Sequence, residues 1–163
     1  MHSIPPLKQL SDLISSSKNS VFVCIGNELR GDDQVGIYLG NKLRKTALGD
    51  KVIMAYATPE SYIDDVLEKN PDIIFFLDAV QVGQKPGIIV VQEIRSGESL
   101  GMSISTHSIP IEVLAAVMRS TSPKIKFFVI GIQIKQVEFG KKMSKVVVEA
   151  ARSLLEIIEG AAH

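Results

Sequence analysis

One cysteine, Cys24, stands in a chain of 163 residues, so no disulfide can form within it. That excludes the small disulfide-held scaffolds and fits a reducing compartment. Cys24 lies in an apolar run, where a thiol reads as a small buried hydrophobe rather than a nucleophile. Charge of one sign is also missing: 18 Lys and Arg balance 18 Asp and Glu. A nucleic-acid footprint needs basic residues gathered on one face and is not expected here. No apolar run approaches the ~20 residues of a membrane helix. Pro5, Pro6 and the polar stretch Ser15–Ser20 do not read as a secretory leader. The expectation is a cytoplasmic protein with neither membrane nor nucleic acid among its partners. Three familiar chemistries lack their motifs as well: G-x-G-x-x-G for dinucleotides, G-x-x-x-x-G-K-[ST] for phosphates and G-x-S-x-G for a serine nucleophile.

What is present is an apolar fraction of 45%, enough to bury a core and to exclude disorder, in a length that reads as one domain. Leu7, Leu10, Leu13 and Ile14 recur at helical spacing after the two prolines, which predicts a short N-terminal helix within an extension 1–19. From residue 20 to 163 a single α/β domain is expected. Short apolar runs at 21–25, 52–56, 73–77, 88–91 and 127–132 read as buried strands. Helical periodicity follows at 35–43, 60–69, 110–119 and 142–159, the last with Val146, Ala150, Leu154 and Ile157 on one face. Strands alternating with helices predict a five-stranded, mostly parallel sheet with helices on both faces, a three-layer sandwich. The run 88–91 follows 73–77 without an intervening helix and is expected to be the antiparallel strand. Nothing in the pattern shows a dimer seam, and a monomer is expected.

Open α/β sheets bind ligands beyond the carboxyl ends of their strands. After the first strand come Gly26, Asn27, Glu28, Arg30, Gly31, Asp32 and Asp33, after the third comes Asp78, and before helix 110–119 comes Ser105-Thr106-His107. Asp32 or Asp33 could cap the following helix. Asp78 could satisfy a turn, and His107 alone is more often structural. Taken together, two carboxylates and one imidazole make a three-donor set with open positions, suited to a borderline divalent ion such as nickel, zinc or iron.

At these residues the chain resembles the [NiFe]-hydrogenase maturation proteases. Gly26-Asn27-Glu28-Leu29-Arg30-Gly31-Asp32-Asp33-Gln34-Val35-Gly36 is similar to the family's G-N-x-L-x-x-D-[DE]-x-x-G opening. Asp78-Ala79 with Gly83 and Pro86-Gly87, and Ser105-Thr106-His107-Ser108-Ile109-Pro110, resemble its two further segments. Thr58-Pro59-Glu60 and Gly131-Ile132-Gln133 match weaker positions. The resemblance implies an endopeptidase that trims the C-terminus of a nickel-loaded hydrogenase large-subunit precursor. The metal contacts it implies fall on Asp33, Asp78 and His107, the same residues it makes catalytic. Gly26, Asn27, Glu28 and Asp32 become candidates for the substrate groove. The nickel would be supplied by the precursor, and no organic cofactor is expected. Gln34, Met54-Ala55-Tyr56 and Ile134 depart from the family pattern, where Gly, Asp-Gly-Gly and Pro are common. Two other readings compete: a nickel- or precursor-binding chaperone without cleavage, and a general zinc-dependent peptidase.

Overall fold

In the computed structural model, which describes residues 7–100 and 108–162, five strands form one sheet in the order β2-β1-β3-β5-β4. The strands are β1 (Ser20–Ile25), β2 (Val52–Tyr56), β3 (Ile73–Val80), β4 (Ile89–Glu93) and β5 (Lys126–Gln133). The helices are α1 (Leu7–Ser16), α2 (Val35–Leu43), α3 (Ile63–Glu68), α4 (Ile111–Thr121) and α5 (Lys145–Ala161). β1, β2, β3 and β5 run parallel, and β4 pairs antiparallel with β5 through Val90↔Gly131 and its neighbours. The antiparallel strand therefore sits at an edge, beside β5 rather than beside the strand it follows.

Because side chains alternate across a strand, the sheet divides the core in two. Phe22, Cys24, Phe75, Leu77, Phe128 and Ile130 face α1, α2 and α5. Val21, Val23, Ile74, Phe76, Phe127 and Val129 face α3 and α4. β3 is buried along its whole length, which explains why its sequence is a continuous apolar run rather than an alternating one. Phe22 stacks on Phe75 at 5.4 Å between ring centroids, and Phe76 on Phe127 at 6.4 Å on the opposite face. Leu10 and Ile14 of α1 lie in the first core cluster with α5, so the N-terminal helix packs onto the domain core. Cys24 is fully buried, and burial pushes its thiol above the ordinary range.

Several expected boundaries shift, each for a local reason. β3 continues through Val80, because β5 keeps pairing with it at Asp78↔Gly131, Ala79↔Ile132 and Val80↔Gln133. Asp78 therefore lies inside the strand, two residues from its end. The helix expected over 60–69 begins as a 3₁₀ turn, Pro59–Tyr62, before α3. The last helix starts at Lys145, since residues 134–144 are held in a loop by hydrogen bonds described below. Its buried face runs through Val147, Ala151, Leu154 and Ile158, one position on from the expected Val146 and Ala150; Val146 is exposed. Among the described residues no helix is long and apolar enough to cross a membrane.

Candidate functional site

The first-strand loop turns back at once. Gly26 N donates to Tyr56 O at 3.0 Å, and Asn27 N donates to Asp33 O at 3.1 Å. Asn27 also caps its own turn, its Oδ1 accepting from Leu29 N at 2.9 Å. A 3₁₀ turn, Gly31–Gln34, then carries Asp32 and Asp33 and runs directly into α2. Neither acid caps a helix through its side chain. The turn packs against β3, and Asp33 is fully buried there.

Two glycines let α2 come this close. A β-carbon on Gly36 would overlap the carbonyl oxygens of Ile25 and Leu77, the residues that end β1 and precede Asp78. A β-carbon on Gly40 would meet Met54 and Cys24. The first turn of α2 is thus seated across the carboxyl ends of β1 and β3. That seating brings the Asp33 turn to the strand that carries Asp78. Asp78 is 3% exposed, and its Oδ1 accepts from Ala79 N at 2.9 Å. The loop beyond β3 is fixed by Gln133 of β5, whose Oε1 accepts from Val82 N at 2.9 Å and from Gln84 N at 3.3 Å. Gln133 Nε2 donates to Gln81 Oε1 at 2.9 Å.

The adjacent acids have different surroundings. Asp32 is also fully buried, but its carboxylate is taken up by the loop after β5. It accepts from Lys135 N at 2.8 Å, Gln136 N at 3.0 Å, Ser144 N at 2.6 Å and Ser144 Oγ at 2.9 Å. Asp32 therefore anchors residues 134–144 and does not line a groove. Of the other groove candidates, Glu28 is exposed and lines one, of about 520 Å³, while Gly26 and Asn27 shape the turn above β1. His107, with Ser105 and Thr106, lies outside the described residues. The described flank of its segment is tied down where Leu100 N donates to Glu112 Oε2 of α4 at 3.2 Å.

Among the described residues no three His, Cys, Asp or Glu side chains are grouped to hold a metal ion. Asp33 and Asp78 contribute carboxylate oxygens at one edge of the sheet, and such donors match a borderline divalent cation once nitrogen or sulfur ligands complete its shell. Gln133 and Glu60 are residues whose tasks the sequence reading left unassigned. Gln133 fixes the loop that follows β3. Glu60 Oε2, in the 3₁₀ turn after β2, is buried without a hydrogen-bond partner among the described residues.

Comparison with known proteins points one way. A sequence model of the hydrogenase maturation protease family matches residues 37–161. The hydrogenase 3 maturation protease of Escherichia coli K12 is 27% identical over 141 residues, covering 86% of this chain and 88% of that protein. The crystal structure of a [NiFe] hydrogenase maturation protease, HycI from Thermococcus kodakarensis KOD1, superposes with a TM-score of 0.82 at 26% identity, over 94% of this chain and 97% of that one. The solution structure of the endopeptidase HycI from Escherichia coli superposes with a TM-score of 0.74 at 28% identity, over 87% and 90% of the two chains.

Proposed function

Because the chain belongs to the hydrogenase maturation protease family, we propose that it is the endopeptidase that removes the C-terminal extension of a nickel-loaded [NiFe]-hydrogenase large-subunit precursor. The observation that carries this reading is the burial of Asp33 and Asp78 on neighbouring segments at the carboxyl edge of β1 and β3. Open α/β sheets bind their ligands at the carboxyl ends of the strands, which is where these two carboxylates stand.

Asp33, Asp78 and His107 are the residues that would meet the ion. Nickel is part of the substrate in this account: it arrives in the precursor and, when present, polarises what it touches. A site with only three protein donors binds free metal less tightly than a closed four-ligand site, which favours an ion already held by the precursor. In hydrolysis, water adds across the peptide C–N bond. One carboxylate takes the proton of the attacking water, and that proton passes to the leaving amine. On this account the enzyme is of the aspartate-dependent type, acts as a monomer, and works in the cytoplasm, where its buried thiol stays reduced.

The test is to incubate the protein anaerobically with the nickel-loaded and the nickel-free precursor and to follow the mass of each. Shortening of the loaded form alone supports the proposal. Shortening of both forms would remove the nickel requirement. Binding without shortening of either would leave a chaperone in place of a protease.

A further inference from the structure

The loops after β1 and β5 are paired into one rigid platform beside the candidate site. Arg30 and Phe139 form an antiparallel bridge, and Gly140 N donates to Leu29 O at 2.7 Å. Gly31 N and Gln34 Nε2 both donate to Lys141 O, at 3.2 and 3.1 Å. Asp32 fastens the far side of the same loop through Lys135, Gln136 and Ser144. Gly31, at φ +48°, has Gln136 packed where a β-carbon would stand, and Gln136 Oε1 accepts from Glu138 N at 2.9 Å.

This platform carries the two most exposed large apolar side chains of the described residues, Phe139 at 77% and Leu29 at 59%. Single exposed apolar residues are ordinary. Two of them on paired backbone, held by the hydrogen bonds just described, make a pre-ordered apolar tip. Next to it runs the groove of about 520 Å³, lined by Glu28, Leu29, Lys141, Lys142, Met143 and Val148 among others. The charge beside the tip leans basic although the chain as a whole is neutral: Arg30 in the bridge and Lys141 and Lys142 in the groove lining stand against Glu28 and Glu138. One of the two acids, Glu138, already faces Lys141 at 3.8 Å.

We infer that this platform docks the protein substrate, taking a segment that presents an apolar side chain flanked by acidic ones. The inference rests on the protease reading above, since it supplies a protein as the substrate. An aromatic anchor surrounded by polar residues is the composition of a binding hot spot. A basic rim steers an acidic partner and sets its register. A second copy of the chain fits less well, because a two-fold interface sets the same patch against itself and would bring Lys141 and Lys142 near their own counterparts.

The test compares wild type, Phe139→Ser and the double charge reversal Lys141→Glu/Lys142→Glu on the nickel-loaded precursor. Both variants should keep the wild-type melting temperature and kcat while KM rises about tenfold. The KM effect of the charge reversal should shrink as salt is raised. Unchanged KM in both variants, with wild type still cleaving, overturns the docking role and leaves the protease reading intact. A wild-type protein that neither binds nor cleaves the precursor overturns both. A shift from dimer to monomer in sedimentation, without a KM change, would assign the platform to self-association instead.

Discussion

Ser144 donates twice to Asp32, its backbone N–H to Oδ1 at 2.6 Å and its hydroxyl to Oδ2 at 2.9 Å. Residues 112 positions apart in sequence are thereby joined in the interior, and the start of α5 is set by the turn that begins α2. Asp32 and Asp33 follow one another in a turn packed against β3, and the first is committed to anchoring the loop after β5.

Asp32→Ala should therefore be a stability variant. It strands three backbone N–H groups of the loop 134–144, and the loss should be about 3 kcal/mol or more. Ser144→Ala removes only the hydroxyl donor and should cost about 1 kcal/mol. Denaturant unfolding of both variants measures the difference. Equal, negligible losses would show that Asp32 does not anchor the loop.

Gly36 and Gly40 should respond differently to the same substitution. The β-carbon of Gly36→Ala meets two backbone carbonyls, which cannot move without shifting β1 or β3. That of Gly40→Ala meets the side chains of Met54 and Cys24, which can re-adjust. Overpacking of this kind costs about 1–3 kcal/mol, with Gly36→Ala at the upper end and Gly40→Ala at the lower. Gly36→Ala should also slow cleavage, because it lifts the Asp33 turn away from β3. Comparison of unfolding midpoints and single-turnover rates checks both statements.

Asp72 governs a pH dependence remote from the site. Burial works to raise its pKa, but Ser17 Oγ at 2.6 Å, Lys18 N at 2.8 Å and Asn19 N at 2.9 Å all donate to the carboxylate, and together they hold it below the usual range. A carboxyl whose folded pKa is depressed adds stability above its unfolded pKa of ~4 and loses it as pH falls through the folded value. Asp72→Ala should cost about 1 kcal/mol at neutral pH, solvent screening included. The gap between variant and wild type should narrow below about pH 4. A constant gap from pH 7 to pH 3, measured by denaturant unfolding, would contradict this.

The layers and the strand order along the chain were legible in the sequence because each buried strand is an unbroken apolar run: Val21–Ile25, Ile73–Leu77 and Phe127–Ile132 are all core. The edge position of β4 was not, since a short connection excludes a parallel neighbour without naming an antiparallel one. The face of α5 was misplaced by one residue because Val146 and Val147 are equally apolar, and only the anchoring of Ser144 decides which turns inward. At the candidate site, place after an apolar run marked Asp78 and the pair Asp32-Asp33, and only the family resemblance singled out Asp33 of that pair. Asp32 carries the same residue type in the same place. Its separate task depends on donors from residues 135, 136 and 144, a distance over which local pattern carries no signal. Gln133 was visible as a motif position, but its grip on Val82 and Gln84 is a tertiary fact.

The central claim is that Asp33 and Asp78 form the cleavage centre of a precursor-processing endopeptidase. Intact-mass measurement of the nickel-loaded large-subunit precursor, incubated with wild type, Asp33→Asn or Asp78→Asn, tests it most directly. The account predicts a precursor shortened at its C-terminus by wild type. Each variant should retain its circular dichroism spectrum and cleave at least about 10²-fold more slowly. A folded Asp33→Asn protein that shortens the precursor at the wild-type rate, or a wild-type protein that leaves its mass unchanged, would contradict it.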